Sequence, residues 1–169
     1  IGGIARGLLY ALLGAGITLV FGLGSVLNLA LGVFAIIAVI AGVAVLPVVS
    51  NTLLAVLVGV AVVGLLSVVV DRALLTSVYR SEGEERVVLG IFTMLGLETL
   101  LSGILYVYYP QTYGIPFDSV LIPIGPIAIR SSTLVIIAVS SVLLLALFLF
   151  LRRTYLGKAT RTVFQDETG

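Results

Sequence analysis

The sequence predicts an all-α fold: a polytopic bundle of transmembrane helices, with about five membrane segments and a small β-hairpin outside the bilayer. Hydrophobic residues make up 60% of the chain and charged residues only 10%, and the mean hydropathy is +1.30. A soluble domain has about a quarter of its residues charged, so this chain lacks the charges that a water-facing surface needs. Its apolar runs are continuous rather than alternating, which favours helices over a transmembrane β-barrel.

Five apolar segments define the predicted helices, each near the ~20 residues that cross ~30 Å of hydrocarbon. A short glycine-rich break follows the first segment, the stretch Pro47–Asn51 is expected to end the second, and a polar loop follows the third. The segments are roughly Ile4–Leu23, Val26–Leu46, Leu53–Val70, Val87–Val107 and Thr133–Leu151.

The region between the fourth and fifth segments, 109–130, holds four of the five prolines. Because proline cannot continue a helix interior, this region is predicted to lie outside the bilayer. On either side of a Gly-Pro pair, the runs Val120–Ile124 and Ile127–Ile129 indicate two short strands of a β-hairpin.

The basic residues predict the orientation in the membrane, because cytoplasmic loops carry an excess of them. If the chain end lies inside, seven of the nine basic residues are cytoplasmic and only Arg6 and Arg130 are outside. Five crossings then place the N-terminus outside. The stretch 152–169 follows the last apolar segment and begins with Arg152 and Arg153. We expect it to be a short cytoplasmic segment that a soluble partner contacts.

The chain contains no histidine and no cysteine, and its formal net charge is +1. It therefore lacks the commonest general base, thiol nucleophiles and the soft metal ligands, and we expect no enzyme activity, no metal and no cofactor. It also lacks the phosphate-binding glycine loop followed by Lys and Ser or Thr. The small net charge gives no reason to expect a nucleic-acid partner.

The segment Gly22–Gly32 is a candidate for the lining of a transport pathway. Its glycines and serine interrupt the helical pattern, and an interrupted helix at membrane depth is tolerated where it lines a cavity. The candidate residues are Ser25, Asn28 and Gly32, with Thr18 of the first segment. An equally good interpretation is a tight turn between two spans, with Asn28 capping the second helix.

Glu98 lies in the middle of the fourth apolar segment, where insertion of a carboxylate costs about 2.5–3.5 kcal/mol. Its side chain should therefore face protein or water. One interpretation is a proton or cation site in the pathway. The other is a protonated carboxyl group hydrogen-bonded to a neighbouring helix.

Small residues recur every four positions on the first segment and form two stripes. Such stripes let helix backbones approach closely in lipid, so we expect this segment to pack in a bundle. The stripes are Gly3, Gly7, Ala11 and Ala15, and Gly14, Thr18 and Gly22.

Three regions of the chain, 10–32, 72–80 and 153–166, match in order the motifs of a known family. The first region contains three short motifs. Tyr10–Leu12, Thr18–Gly22 and Asn28–Gly32 are similar to its Tyr-Ala-Leu, Thr-x-Val-Tyr/Phe-Gly and Asn-Phe-Ala-His-Gly-Glu motifs. The stretch 72–80 resembles its basic loop after the third span, and 153–166 resembles its cytoplasmic Gly-Arg-Ala-x-Arg-Ala and Asp. On these motifs the chain resembles the N-terminal part of permease subunits of ABC importers for branched-chain amino acids, the LivH/LivM-like family. Leu31 and Val33 replace the family's His and Glu.

This resemblance implies one transmembrane permease domain over 1–169, incomplete at its C-terminal side, with 109–130 external and 152–169 beginning a cytoplasmic coupling segment. It also implies a prokaryotic cell membrane, a second permease subunit, cytoplasmic ATPase subunits that hydrolyse ATP, and an extracytoplasmic substrate-binding protein. The coupling residues that it implies are Gly157, Lys158, Ala159, Arg161 and Asp166.

Two other functions fit the same residues. A secondary transporter half would use Glu98 as its ion-coupling carboxyl group and would need no ATPase. A structural membrane subunit would have no pathway, so polar substitutions at Ser25 and Asn28 would affect only assembly.

Overall fold

The computed structural model describes residues 1–24, 26–115, 119–124 and 127–154. Five of the helices in these ranges are long and apolar enough to cross a membrane, as the sequence predicts. The third of them is composite, because α3, a π-helical turn and α4 form one continuous span, Thr52–Val78. In chain order the elements are α1 Gly2–Gly24, α2 Leu31–Val49, α3 Thr52–Val70, the π turn Asp71–Leu75, α4 Thr76–Val78, α5 Gly83–Tyr108, β1 Leu121–Ile124, β2 Ile127–Arg130 and α6 Ser131–Arg153.

The contacts divide the chain into two compact units. In one unit α1 packs against α6, and the hairpin joins the start of α6. In the other unit α2 packs closely against α3, while α5 contacts α2, α4 and the π turn.

The second span begins later than predicted, at Leu31 rather than Val26. The delay arises because Asn28 forms a local turn: its side-chain oxygen accepts a hydrogen bond from the backbone N–H of Ala30 at 3.1 Å. Side chains of this type offer the backbone an alternative to helical hydrogen bonds, so the chain turns before the helix starts.

The prediction that the stretch Pro47–Asn51 ends the second helix is confirmed, although α2 continues through Pro47 itself to Val49. Pro47 lies in the last turn, where its missing N–H removes a single helical hydrogen bond. The helix ends at Ser50, within the predicted stretch, where the backbone adopts the left-handed conformation at φ 53°. Directly after this turn Asn51 caps α3, because its side-chain oxygen accepts hydrogen bonds from the backbone N–H groups of Leu53 and Leu54.

The third span extends beyond its predicted end at Val70. The π turn Asp71–Leu75 carries the helix past this point, and the N–H of Thr76 bonds to the carbonyl oxygen of Asp71, five residues earlier. Sequence reasoning missed this extension because Asp71 and Arg72 mark the end of the apolar run. Single π turns inside α-helices are rare and often occur at functional sites.

Small residues bring the α2 and α3 backbones into contact at two levels. A Cβ atom placed at Gly59 would collide with the carbonyl oxygen of Ala38, and one placed at Gly42 would lie 3.0 Å from the carbonyl oxygen of Ala55. Each helix therefore contributes two small residues spaced by four, paired antiparallel across the contact. This is the close backbone approach that stabilises helix pairs in lipid.

The buried core of the second unit lies where the turn before α2, the composite third span and α5 meet. Val26 is 1% exposed and Met94 2% exposed, and a Cβ at Gly90 would lie 3.1 Å from a methyl group of Val26. The turn 26–30 is thus held directly against α5. The core residues are Val26, Ala30, Val33, Phe34, Val70, Leu75, Val78 and Met94.

A hydrogen-bonded cluster closes the loop between α4 and α5. The guanidinium group of Arg86 donates to the carbonyl oxygens of Ser81 at 2.8 Å and Tyr79 at 3.1 Å. The Tyr79 hydroxyl donates to the carboxylate of Asp71 at 3.2 Å. Burial raises the pKa of this hydroxyl, and the Asp71 carboxylate raises it further, so the hydroxyl stays protonated and remains a donor.

The predicted hairpin is confirmed as two antiparallel strands in which Leu121 pairs with Arg130. Two reciprocal hydrogen bonds join its base to α6: Ser131 N–H to the Val120 carbonyl at 2.9 Å, and Val120 N–H to the Ser131 hydroxyl at 3.0 Å. The hairpin is therefore fixed to the first turn of the fifth span.

Candidate functional site

The turn between α1 and α2 carries the predicted pathway residues. Asn28 is half-buried and uses its amide oxygen to close the turn with Ala30, and Gly32 lies in the first turn of α2. A Cβ at Gly32 would meet no atom within 4 Å among the described residues, so this position is open on its helix. Ser25 lies outside the described residues. The local hydrogen bond supports the turn interpretation for Asn28, and among the described residues its amide NH₂ group has no hydrogen-bond acceptor.

Thr18 lies on α1 and belongs to the other unit. Its hydroxyl donates to the carbonyl oxygen of Gly14 at 2.8 Å, one turn earlier on the same helix. This back-bonding satisfies the hydroxyl within the helix, as is common for threonine in apolar helices. A Cβ added at Gly3, Gly7 or Gly14, all on the small-residue stripes of α1, would meet no atom within 4 Å among the described residues. The close approach occurs between α2 and α3 instead.

Glu98 lies on α5 and is half-buried. The hydroxyl of Ser102 donates to its carboxyl oxygen at 2.8 Å. This partner is one turn further along the same helix, whereas the sequence suggested a partner on a neighbouring helix. An i, i+4 pair of this kind reduces the cost of a carboxyl group at membrane depth without a second charge.

The residues assigned to coupling, Gly157, Lys158, Ala159, Arg161 and Asp166, lie outside the described residues. The structure does describe the end of the helix that leads to them. Arg152 and Arg153 occupy the last turn of α6, where positive charge interacts favourably with the helix dipole. The guanidinium carbon of Arg152 lies 5.8 Å from the ring centre of Phe148, a cation–π contact that orients this arginine.

A cavity of about 340 Å³, which the sequence did not indicate, lies beside α2. Sequence reasoning assigned the whole of 109–130 to an external loop, although the cluster of tyrosines, glutamine and threonine directly after α5 was a usable signal. We call this cavity the α2 cavity; its lining is Ala35, Ile36 and Val39 of α2, and Tyr109, Gln111, Thr112 and Tyr113 of the segment after α5.

Replacing Asn28 tests whether its role is structural. Asn28→Ala leaves the Ala30 N–H without its partner, and we expect a loss of about 1 kcal/mol in the free energy of unfolding. Asn28→Ser restores an acceptor and should recover most of that loss. Thermal unfolding in detergent measures both values. If Asn28→Ser has normal stability but reduced transport, the amide group belongs to the pathway. If Asn28→Ala and Asn28→Ser are equally stable, the hydrogen bond does not stabilise the turn.

One of the comparisons with known proteins identifies a family. A family model described as the permease component of a branched-chain amino acid transport system matches residues 1–169. Searches of curated proteins and of solved structures found no match. The five apolar helices make the chain a multi-pass membrane protein, and permease components of transport systems are generally not enzymes. Because the match spans the whole sequence, the chain belongs to the family of permease components of branched-chain amino acid transport systems.

Proposed function

We propose that this chain is the membrane-spanning subunit of an ABC importer and forms part of the pathway for branched-chain or related amino acids. The observation that carries the proposal is the family match over 1–169, together with five helices able to cross a membrane. A second permease subunit completes the pathway, two cytoplasmic ATPase subunits drive it, and an extracytoplasmic binding protein delivers the substrate. The membrane is the cell membrane of a prokaryote.

The distribution of charge supports an orientation with the chain end in the cytoplasm and the N-terminus outside. Arg152 and Arg153 at the end of α6, and Arg72, Arg80 and Arg86 around α4, then lie on the cytoplasmic side. In this orientation the hairpin and the loop between α2 and α3 are external. In the same orientation, we expect the polar segment that contains Gly157, Lys158 and Arg161 to be cytoplasmic and therefore accessible to an ATPase.

We propose that α5 supports the pathway. The non-helical turn 26–30 rests on α5 at Gly90 through the buried side chain of Val26. Glu98 follows eight residues later on the same helix, about 12 Å along its axis. Movement of α5 would therefore displace the turn that contains Asn28, directly before Gly32 in the first turn of α2. This makes α5 the connection between the turn and Glu98.

Cross-linking tests the coupling to an ATPase, because the chain has no native cysteine. A cysteine replaces Thr162 in the full-length permease, and the co-expressed ATPase carries a cysteine in its docking groove. We expect a disulfide in membranes whose yield changes on adding ATP. If the cysteine reacts with a thiol reagent added from the cytoplasmic side but never forms this disulfide, the segment is only a basic membrane anchor. That result would contradict coupling at this position.

Glu98→Gln separates the importer from the ion-coupled alternative. Glutamine still accepts the hydrogen bond from Ser102, so an ATP-driven importer should keep its uptake rate within about twofold. An ion-coupled transporter should lose accumulation against a gradient, since an amide cannot exchange a proton. Uptake into vesicles, driven either by ATP or by an ion gradient, measures the difference. If the wild-type protein accumulates substrate without an ATPase, and Glu98→Gln abolishes this accumulation, the importer function is wrong.

A further inference from the structure

The π turn shifts the buried face of the third span by one residue. Up to Val70, the inward positions of this span recur every three or four residues, as in any α-helix packed on one side. An uninterrupted α-helix would next turn the residues four and seven positions later inward, which are Leu74 and Ser77. Both are exposed, and the buried side chains are instead Leu75 and Val78, each one position further along. The extra residue of the π turn therefore decides which side chains reach the core.

Hydrogen bonds to Asp71 hold the segment in this register. The carbonyl oxygen of Asp71 accepts both the backbone N–H of Thr76 and the Thr76 hydroxyl, the latter at 3.2 Å. Its carboxylate accepts the Tyr79 hydroxyl at 3.2 Å, eight residues later. Because the π turn absorbs one residue, these two side chains lie on one face, as positions seven apart do in an α-helix. Without the π turn Tyr79 would rotate by about 100° away from Asp71, so their hydrogen bond belongs to the π register.

The same sequence also permits an α-helical register. That register would bury Leu74 in place of Leu75, so the volume of apolar side chain in the core would not change. It would also place Ser77 where Val78 now lies, and the core that contains Val26 would lose an apolar contact. The two registers thus differ by few interactions, as in elements that switch between two discrete packings.

The π turn is connected to both neighbouring elements of its unit. Val78 shares a core with Val26, the residue that holds the turn 26–30 against α5. At the other end of α4, the guanidinium group of Arg86 on α5 donates to the carbonyl oxygen of Tyr79 at 3.1 Å. A change of register would therefore affect the turn before α2 and the loop that leads into α5 together.

We propose that the π turn Asp71–Leu75 is a register switch used in the transport cycle. In the observed register Val78 supports the turn 26–30, and the hydrogen bond of the Tyr79 hydroxyl stabilises this state. In the second register the segment is an α-helix, Leu74 is buried and the turn is released. The inference rests on the proposed importer function and adds a moving element to it.

The test uses the full-length permease with its partner subunits in proteoliposomes, with leucine as the probe. Deletion of Ala73, an exposed residue of the π turn, lets an ordinary α-helix keep Leu75 and Val78 in the core, but leaves no extra residue with which to switch. We expect thermal stability at least equal to that of wild type. ATP-driven uptake should fall by about tenfold or more, because uptake scales with the fraction of molecules that can reach the second register.

The matched control is Ala73→Ser, which keeps the length of the turn and should transport at the wild-type rate. If the deletion variant transports leucine as fast as Ala73→Ser does, the π turn only accommodates the sequence and the switch is wrong. Absence of ATP-dependent leucine uptake by the wild-type protein would instead reject the importer function itself.

A second measurement applies even if the deletion variant fails to assemble. Single cysteines replace Leu74, which is 38% exposed, and Leu75, which is 8% exposed, and both are labelled with a small maleimide. Trapping the complex with ATP and vanadate should slow labelling at position 74 and accelerate it at position 75, each by about fivefold or more. Tyr79→Phe removes the hydrogen bond to Asp71 and should shift both rates in the same directions without ATP. Unchanged labelling at both positions in a trapped complex that transports normally before trapping would overturn the switch.

Discussion

Replacing Gly59 by alanine is expected to destabilise the permease, and replacing it by leucine to prevent α2 and α3 from pairing. A Cβ at this position collides with the carbonyl oxygen of Ala38, and the carbonyl carbon lies only 3.1 Å away. The obstacle is backbone of a neighbouring helix, which cannot rotate away as a side chain could. Overpacking costs about 1–3 kcal/mol when side chains must move, so we expect about 3 kcal/mol or more for Gly59→Leu.

The helix backbones approach less closely at the second level of this contact than at Gly59. At the second level a Cβ on Gly42 would lie 3.0 Å from the Ala55 carbonyl oxygen and 3.1 Å from a methyl group of Ile115. A shift of a few tenths of an ångström relieves both contacts. Gly42→Ala should therefore cost less than Gly59→Ala. Unfolding in mixed detergent, followed by circular dichroism, gives the two free energies of unfolding.

Gly64 provides the matched control on α3, because a Cβ there would meet no atom within 4 Å among the described residues. Alanine at this position removes the conformational freedom of glycine in a helix, and we expect a gain of roughly 0.5–1 kcal/mol. The glycine-to-alanine substitution should thus lower the free energy of unfolding at position 59 and raise it at position 64, five residues later. If Gly59→Ala and Gly64→Ala change the free energy of unfolding by equal amounts, α2 and α3 do not pack as described.

Much of the fold follows from composition and breaks in the apolar pattern. Five spans and a hairpin could be predicted because length and continuity decide membrane crossing, and because proline excludes a helix between the fourth and fifth spans. The π turn Asp71–Leu75 could not be predicted, since its hydrogen bonds shift by one residue without any signal in the side chains. Glycine-rich stripes occur on α1 and small residues occur on α2 and α3, and spacing alone does not say which stripe meets a neighbour.

The candidate site was only partly predictable for a related reason. The turn with Asn28 could be predicted because asparagine bonds to its own backbone, and the spacing of Glu98 and Ser102 already places them on one helix face. The α2 cavity depends on a segment that returns to α2 after the end of α5. That return is a tertiary contact between residues about 70 positions apart, and no local pattern encodes it.

Removal of the Met94 side chain is the second large effect that we expect. Met94→Ala should reduce the free energy of unfolding by about 2–3 kcal/mol, at the lower end of the range for buried large-to-small substitutions. The side chain is 2% exposed and packs in the core with Val26, Phe34 and Val78, which come from three other elements. In lipid the loss is mainly one of packing contacts, because hydrocarbon solvates apolar groups as well as the protein does. Denaturant titration of the purified permease in detergent gives the value.

Leu95 is the control, since it is the next residue on α5 and is 44% exposed. Leu95→Ala removes a side chain of similar size from an exposed position, and should cost less than about 1 kcal/mol. The core also holds the turn 26–30 against α5, so Met94→Ala should increase thiol labelling of a cysteine placed at Leu29, an exposed residue within this turn. Leu95→Ala should leave that labelling unchanged. If both alanine variants lose the same stability, the contact between α5 and this turn does not hold the second unit together.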